Sequence, residues 1–358
     1  MATKYETVKQ KIRDNISSGK YQPGDQLPTE SELMKRYGVS RYTIRRAMGE
    51  LENEHFIYRV QGGGMFVENW RKRDKPLNQK VVGVVATHLA DYIFPSIISG
   101  IDRTLSSQGY SILLGNTHND HDQERASLQR MLDSNVDGLI LEPTQSARPN
   151  PNQDLYHQIE SSNIPAMFID AHYDNSPLPY IDTADRETEE KLVNLLFDHG
   201  HERILGIYKV DDMQGVGRMQ GYMDAYMSHP EASLKSNVIM YQSSDDVVQI
   251  FSKIAEYLKS DKRPTAIACY NDQLAIQVMD VVRSLGLKIP ADISIIGFDD
   301  YLLSAYILPG LTTAVHPKNK MGMDAGNMIL QLIKGQKVQS KIYHPEIIER
   351  DSVKTLGQ

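Results

Sequence analysis

Arg41, Tyr42, Arg45, Arg46 and Gly49 gather on one arc of a helical wheel if residues 41 to 54 form a helix. Three guanidinium forks, a phenol and a bare backbone patch on one side suit the major groove of DNA. There Arg can bridge guanine O6 and N7, and it can also hold phosphates. The opposite arc carries Ile44, Ala47, Met48 and Leu51, so the same helix has an apolar face to bury. Tyr5, Val8, Ile12 and Ile16 recur at helical spacing in an opening segment, with Lys4 and Lys9 placed to meet phosphate.

A second set of residues suits a small polyhydroxylated ligand. His88, Tyr92 and Phe94 follow one apolar strand-like run, Glu142 another, and Asp170 and His172 a third; Tyr208, Asn271, Asp299 and Asp300 follow later runs. Carboxylates, an amide, Arg218 and aromatic rings supply paired acceptors and donors for hydroxyls and a ring for a sugar's C–H face. Catalytic and metal-binding groupings are weaker. His199 and His201 flank Gly200, and His118, His121 and Asp122 share a loop, but neither group supplies a closed ligand set. Gln61-Gly62-Gly63-Gly64 lacks the Lys-Ser/Thr of a phosphate loop, and no nucleophile-elbow motif is present. The expectation is a binding protein that is not an enzyme, with no catalytic residue, no metal and no cofactor.

The elements that would position these groups are legible from punctuation and period. Pro28 stops one segment, Thr29 can cap a helix with Glu32 closing a capping box, and Gly38 suits its end. Ser40 then caps the helix that carries Arg41 and Arg45. Residues 57–60 and 65–67 alternate like strands around the glycine run, where Gly63 is expected at positive φ. Residues 1–68 therefore read as a winged helix-turn-helix (α+β), and 69–80 as a linker whose Trp70 packs against one domain. From Val81 to Gln358, short apolar strands alternate with amphipathic helices in two sets of four, an α/β domain of two doubly wound lobes. Ligands of such sheets lie beyond the carboxyl ends of the strands.

Charge is divided along the chain. The net of −7 resolves into 15 Lys and Arg against 10 Asp and Glu in residues 1–75, net +5, leaving 24 against 36, net −12. A basic head on an acidic body fits a nucleic-acid contact at one end only. The single cysteine, Cys269, lies in an apolar run and reads as a buried small hydrophobe. No signal-peptide h-region and no apolar run near the ~20 residues of a membrane span are present, so a cytoplasmic protein without a membrane partner is expected.

The stretch Tyr21-Gln22-Pro23-Gly24-Asp25-Gln26-Leu27-Pro28-Thr29-Glu30, then Tyr37-Gly38-Val39-Ser40-Arg41, Thr43-Ile44-Arg45 and the glycine-rich wing, resembles the DNA-binding domain of the gluconate-repressor (GntR) family. That resemblance implies DNA contacts from Arg41 and Arg45, Glu30 near the bases, and Gln61 and Gly62 in the minor groove. Ser31 stands where many members carry Arg. The body resembles the effector-binding core of the lactose/galactose-repressor (LacI/GalR) family, itself similar to periplasmic sugar-binding proteins. The resemblance is carried by residues 200–204, Arg218-Met219-Gln220-Gly221-Tyr222, Asn271-Asp272-Gln273, Ile296-Gly297-Phe298-Asp299-Asp300, Leu311-Thr312-Thr313 and residues 348–353. It implies ligand contacts at Phe94, Arg218, Asn271, Asp299 and His316. Together the two resemblances imply a homodimeric repressor on double-stranded operator DNA, released by a sugar. L-arabinose is the expected effector, with another sugar or a purine as the alternative.

Overall fold

The computed structural model describes residues 4–17, 19–54, 56–60, 63–68, 80–162 and 164–357. The chain divides into two compact units, Met1–Gln79 and Lys80–Gln358. Residues 69–79, which hold nearly all of the expected linker and Trp70, lie outside the described residues, as do Gln61 and Gly62.

The first unit is a winged helix-turn-helix of α1 (Lys4–Ser17), α2 (Glu30–Tyr37), α3 (Arg41–Asn53), β1 (Ile57–Val60) and β2 (Gly64–Val67). The Thr29 hydroxyl accepts from the Glu32 N–H while the Glu32 carboxylate accepts from the Thr29 N–H, which closes the capping box. Gly38 ends α2 at φ 63, and the Ser40 hydroxyl caps α3 by accepting from the Thr43 N–H. Val8, Ile12 and Ile16 of α1 pack on Leu33, Ile44, Met48, Leu51 and Ile57. Each such buried side chain contributes about 1.5–3 kcal/mol. β1 and β2 pair antiparallel with Ile57 opposite Val67 and Val60 opposite Gly64. The positive φ of the wing falls at Gly64 (105°) and not at the expected Gly63. Gly64 leaves the turn against Gln26, whose Nε2 would lie 2.7 Å from an added Cβ and itself donates to the Gly63 carbonyl.

The second unit begins with β3 (Val81–Ala86), α4 (Phe94–Ser106), β4 (Ser111–Asn116), α5 (His121–Asp133), β5 (Gly138–Leu141), α6 (Gln153–Ser161), β6 (Ala166–Ile169) and β7 (Tyr180–Thr183). A second lobe follows: α7 (Asp185–Asp198), β8 (Ile204–Lys209), α8 (Met213–Ser228), β9 (Asn237–Tyr241), α9 (Val247–Lys259), β10 (Ala266–Cys269), α10 (Asp272–Ser284), β11 (Ser294–Ile296) and β12 (Thr313–Ala314). The chain then returns to the first lobe with α11 (Lys318–Ile333) and β13 (Lys341–Tyr343), and ends beside β12 through β14 (Ile347–Ile348). The sheets run β13-β7-β6-β5-β3-β4 and β11-β10-β8-β9, every pair parallel.

The parallel sheet of the second lobe has the four strands expected, whereas that of the first lobe has six. β7 is the mixed tetrapeptide Tyr-Ile-Asp-Thr, and β13 arrives from far downstream, so neither forms an apolar run beside its partners. Met321, Ala325 and Ile329 of α11 complete the first-lobe core against Val82, Val84, Ile97 and Ile101. Three short segments thus cross between lobes: 183–185, 314–318 and 343–347. Among the described residues, no helix is long and apolar enough to cross a membrane. Cys269 is fully buried in the second core, and burial pushes its thiol well up from its usual range.

Candidate DNA-reading face and effector cleft

On the head, α3 turns Ile44, Ala47, Met48 and Leu51 into the core and leaves Arg41, Tyr42, Arg45 and Arg46 exposed. Tyr42 keeps 74% of its surface in solvent, a large aromatic with nothing in the head to cover it. Arg45 Nε donates to both oxygens of Glu30, at 3.1 and 3.0 Å. That grip occupies only Nε and fixes the direction of the fork, whose amino groups can then meet a base edge or a phosphate. The Arg46 guanidinium sits 3.8 Å over the Tyr5 ring and 3.8 Å from Glu50, so Tyr5 packs against Arg46. Lys4 is exposed at the start of α1. Lys9 is not free for phosphate, because Nζ pairs with Glu50 and Glu54 at 2.9 Å each. Those two acids lie one turn apart on the side of α3 that meets α1. Gly63 is at the wing, while Gln61 and Gly62 fall outside the described residues.

In the body, a cavity of about 390 Å³ opens at the carboxyl ends of the strands, with residues of both lobes around it. Phe94, Glu142, Arg218, Asn271 and Asp299 line it, joined by His88, Tyr92 and Asp170. Arg218 is buried and three of its five N–H groups are engaged: Nε to Asp185 at 2.7 Å, Nη1 to the Tyr270 carbonyl at 2.7 Å and Nη2 to Asp299 at 3.2 Å. Its guanidinium also lies 3.7 Å from the centre of the Phe298 ring. Burial opposes its charge, but the Asp299 and Asp185 carboxylates override it and hold Arg218 protonated.

Two carboxyls on the first-lobe wall differ in state. Burial and the neighbouring Asp170 push Glu142 up to about 8, against hydrogen bonds from the Thr87 N–H (2.6 Å) and hydroxyl (2.8 Å). Burial acts on Asp170 too, but the His316 ring 3.0 Å away and the charge of Arg218 outweigh it and lower Asp170. The two carboxyls of this wall are therefore pushed in opposite directions, Glu142 towards holding its proton and Asp170 towards giving it up.

Two expected contacts lie elsewhere. Tyr208 is fully buried among Tyr222, Phe298 and Leu192, and its hydroxyl donates to Glu189 at 2.6 Å. Side chains alternate along a strand, so with Tyr208 facing the helices its neighbour Lys209 lines the cavity instead. His316 stands behind Asp170, outside the lining, and shapes the site through that carboxylate. His172 pairs with Asp182 and stacks on Tyr180, and Asp300 binds Arg350 at 2.6 Å. Lys209, Asp212, Gln214 and Asn119 were not anticipated as lining residues. Lys209 had a signal in the two-residue period, while Asn119 and Gln214 enter from loops and a helix start that the period does not mark.

The lining is strained where it carries polar groups. Tyr92 (φ 61), Asn119 (φ 55), Asp170 (φ 65) and Asp299 (φ 100) all take left-handed backbone angles without being glycine. Such residues cluster at ligand sites because only over-determining contacts hold them there. Here those contacts join the lobes. The Tyr92 hydroxyl donates to Asp299 Oδ2 at 2.7 Å, Asn119 to the Ser243 hydroxyl at 2.7 Å and Gln214 to Asp170 Oδ2 at 3.1 Å.

A DNA-reading head and a two-lobed ligand cleft on one chain define a ligand-controlled transcriptional regulator. A family model of bacterial regulatory proteins, gntR family, matches residues 4–67, and one of periplasmic binding protein-like domains matches residues 193–353. The chain is 38% identical to the arabinose metabolism transcriptional repressor of Geobacillus stearothermophilus, across 99% of this chain and 98% of the relative. It is 37% identical to the repressor of the same description from Halalkalibacterium halodurans, across 98% and 97%. The structure of the transcription regulator CcpA of Lactococcus lactis shares the body's fold, with a TM-score of 0.67 at 22% identity over 77% of this chain and 100% of that one. The chain belongs to the family of the arabinose metabolism transcriptional repressors. It is a DNA-binding, sugar-responsive repressor and not an enzyme.

Proposed function

We propose that this chain represses arabinose-utilisation genes in the cytoplasm as a homodimer on double-stranded operator DNA, and that L-arabinose entering the cleft releases it. The observation that carries the reading is a full-length relationship, through head and cleft alike, to two repressors of arabinose metabolism. The cleft chemistry agrees with a pentose. Its cavity is small, and Arg218, Asp299, Asp170, Glu142 and Asn271 offer paired donors and acceptors for adjacent hydroxyls. A two-fold dimer follows from the short reach of one winged module, since symmetric regulators read matched half-sites.

Titration calorimetry of the full chain against L-arabinose, D-galactose and hypoxanthine tests the effector, and a gel shift on its own promoter tests release. Heat with L-arabinose alone, together with sugar-dependent loss of the shifted band, is the expected result. Heat only with the purine or the hexose would replace L-arabinose as the effector. Sedimentation as a monomer at micromolar concentration would remove the dimer.

A further inference from the structure

Asp299 belongs to the second lobe, in the segment after β11, yet two side chains from the first-lobe side hold it. Lys318, the first residue of α11, donates from Nζ to the carbonyl oxygens of Asp299 at 2.5 Å and Asp300 at 2.8 Å. Tyr92, in the loop after β3, shares its phenol proton between Asp299 Oδ2 at 2.7 Å and the Phe298 carbonyl at 3.1 Å. The same phenol oxygen accepts from the Asp272 N–H at 3.1 Å. The other oxygen of Asp299 receives Arg218, so the carboxylate is set from two sides.

The gripped backbone is unfavourable by itself. Asp299 and Asp300 stand at φ 100 and φ 47 in succession, and Tyr92 at φ 61. Non-glycine residues keep such angles only where neighbours impose them. The placement of Lys318 has a similar meaning. A lysine in the first turn of a helix opposes the macrodipole, so its contacts and not helix stability account for it. Both Lys318 and Tyr92 are anchored on the first-lobe side, since Lys318 ends a crossing segment and opens α11, which packs there through Met321, Ala325 and Ile329, and Tyr92 itself packs on the same cluster.

We propose that Lys318 and Tyr92 are positioning residues that set the ligand carboxylate Asp299 only when the lobes are together, making effector affinity and lobe closure one equilibrium. The inference rests on the reading of the cleft as the effector site. An opened cleft withdraws both donors, and the Asp299-Asp300 turn is then free to relax away from its binding geometry. Effector affinity falls by the fraction of molecules that remain closed.

Lys318→Met keeps the aliphatic stem and removes the ammonium; Tyr92→Phe removes only the phenol oxygen. Calorimetry with L-arabinose on the full chain should give a Kd raised roughly ten- to a hundredfold for Lys318→Met, and in the same direction for Tyr92→Phe. An affinity within about twofold of wild type in both variants overturns the proposal, and folding of each is checked by its thermal transition. In an Asp299→Ala background, Lys318→Met should add less than about twofold, because its effect passes through that carboxylate. Fully additive losses overturn the positioning role. Wild-type protein that binds no L-arabinose would sink the effector reading separately. Small-angle scattering of the ligand-free protein then decides the positioning role: Lys318→Met must expand the body, and an unchanged radius of gyration overturns it.

Discussion

Glu142 is a buried carboxyl whose charge state decides what it can offer a ligand. Burial and Asp170 raise it from 4.5 to about 8, so between those values the folded chain holds a proton that the unfolded chain releases. The contribution of Glu142 to stability should therefore fall as pH rises from about 5 to 8, by up to about 1.4 kcal/mol per pH unit. Glu142→Gln, neutral at every pH, should flatten the denaturant-unfolding free energy across that window by about one proton. A slope equal to wild type would mean that Glu142 is ionised in the fold. On the head, the corresponding question is what Arg45 reads. With Nε tied to Glu30, its two amino groups have the geometry for guanine, and a bidentate base contact discriminates by about 1–3 kcal/mol. Arg45→Ala should lose more affinity for the operator than for random DNA in competition gel shifts; equal losses would make Arg45 a phosphate clamp.

Elements hold these residues through a few positions that cannot be exchanged. In the wing, an added Cβ would meet the flexible end of Gln26 at 2.7 Å at Gly64 and the Val60 side chain at 2.9 Å at Gly63, so what sets Gly64 apart is its φ of 105, a backbone angle that L side chains rarely adopt. Gly64→Ala should cost about 1–3 kcal/mol of wing stability and weaken operator binding while leaving calorimetric sugar binding intact. Gly63→Ala should be milder, and the reverse order in a gel shift would move the wing's critical turn back to Gly63. Helix boundaries here were legible because Thr29, Glu32, Gly38 and Ser40 act locally, each through a bond to a backbone group three or four residues away. The wing glycine differs by one place from the expectation because three glycines in a row, Gly62-Gly63-Gly64, carry no internal register. Tyr208 failed for a related reason: a strand-end position is legible, but which face it takes is fixed by packing on Glu189 and Tyr222. α11 and β13 return to a lobe whose last preceding strand ended at Thr183, before the whole of the second lobe, and such a return is set by the tertiary core. The hinge contacts of Lys318 and His316 depended on that return and left no trace in periodicity.

For the whole molecule, one ligand must change the fate of a head that belongs to a separate unit, and its leverage is bounded. A ligand shifts an equilibrium only by its difference in affinity for two states, and moving a population from 1:99 to 99:1 needs about 5.5 kcal/mol of difference. In the proposed homodimer two clefts would share that demand, at under about 3 kcal/mol each, within the reach of a few charge-assisted hydrogen bonds. The interlobe bonds from Tyr92 to Asp299 and from Gln214 to Asp170 are of that kind. By linkage, operator DNA must then lower sugar affinity by the same factor by which sugar lowers operator affinity. Arg218→Ala would leave Asp185 and Asp299 without their cation, and breaking a buried pair typically costs about 3–5 kcal/mol. That loss falls on the cleft and spares the reading face, so the variant should occupy operator in a gel shift and fail to leave it at sugar concentrations that release wild type. Asp299→Ala should behave alike. Release of either variant at the wild-type sugar concentration, or equal sugar affinity of free and operator-bound wild type by calorimetry, would remove the cleft from the switch.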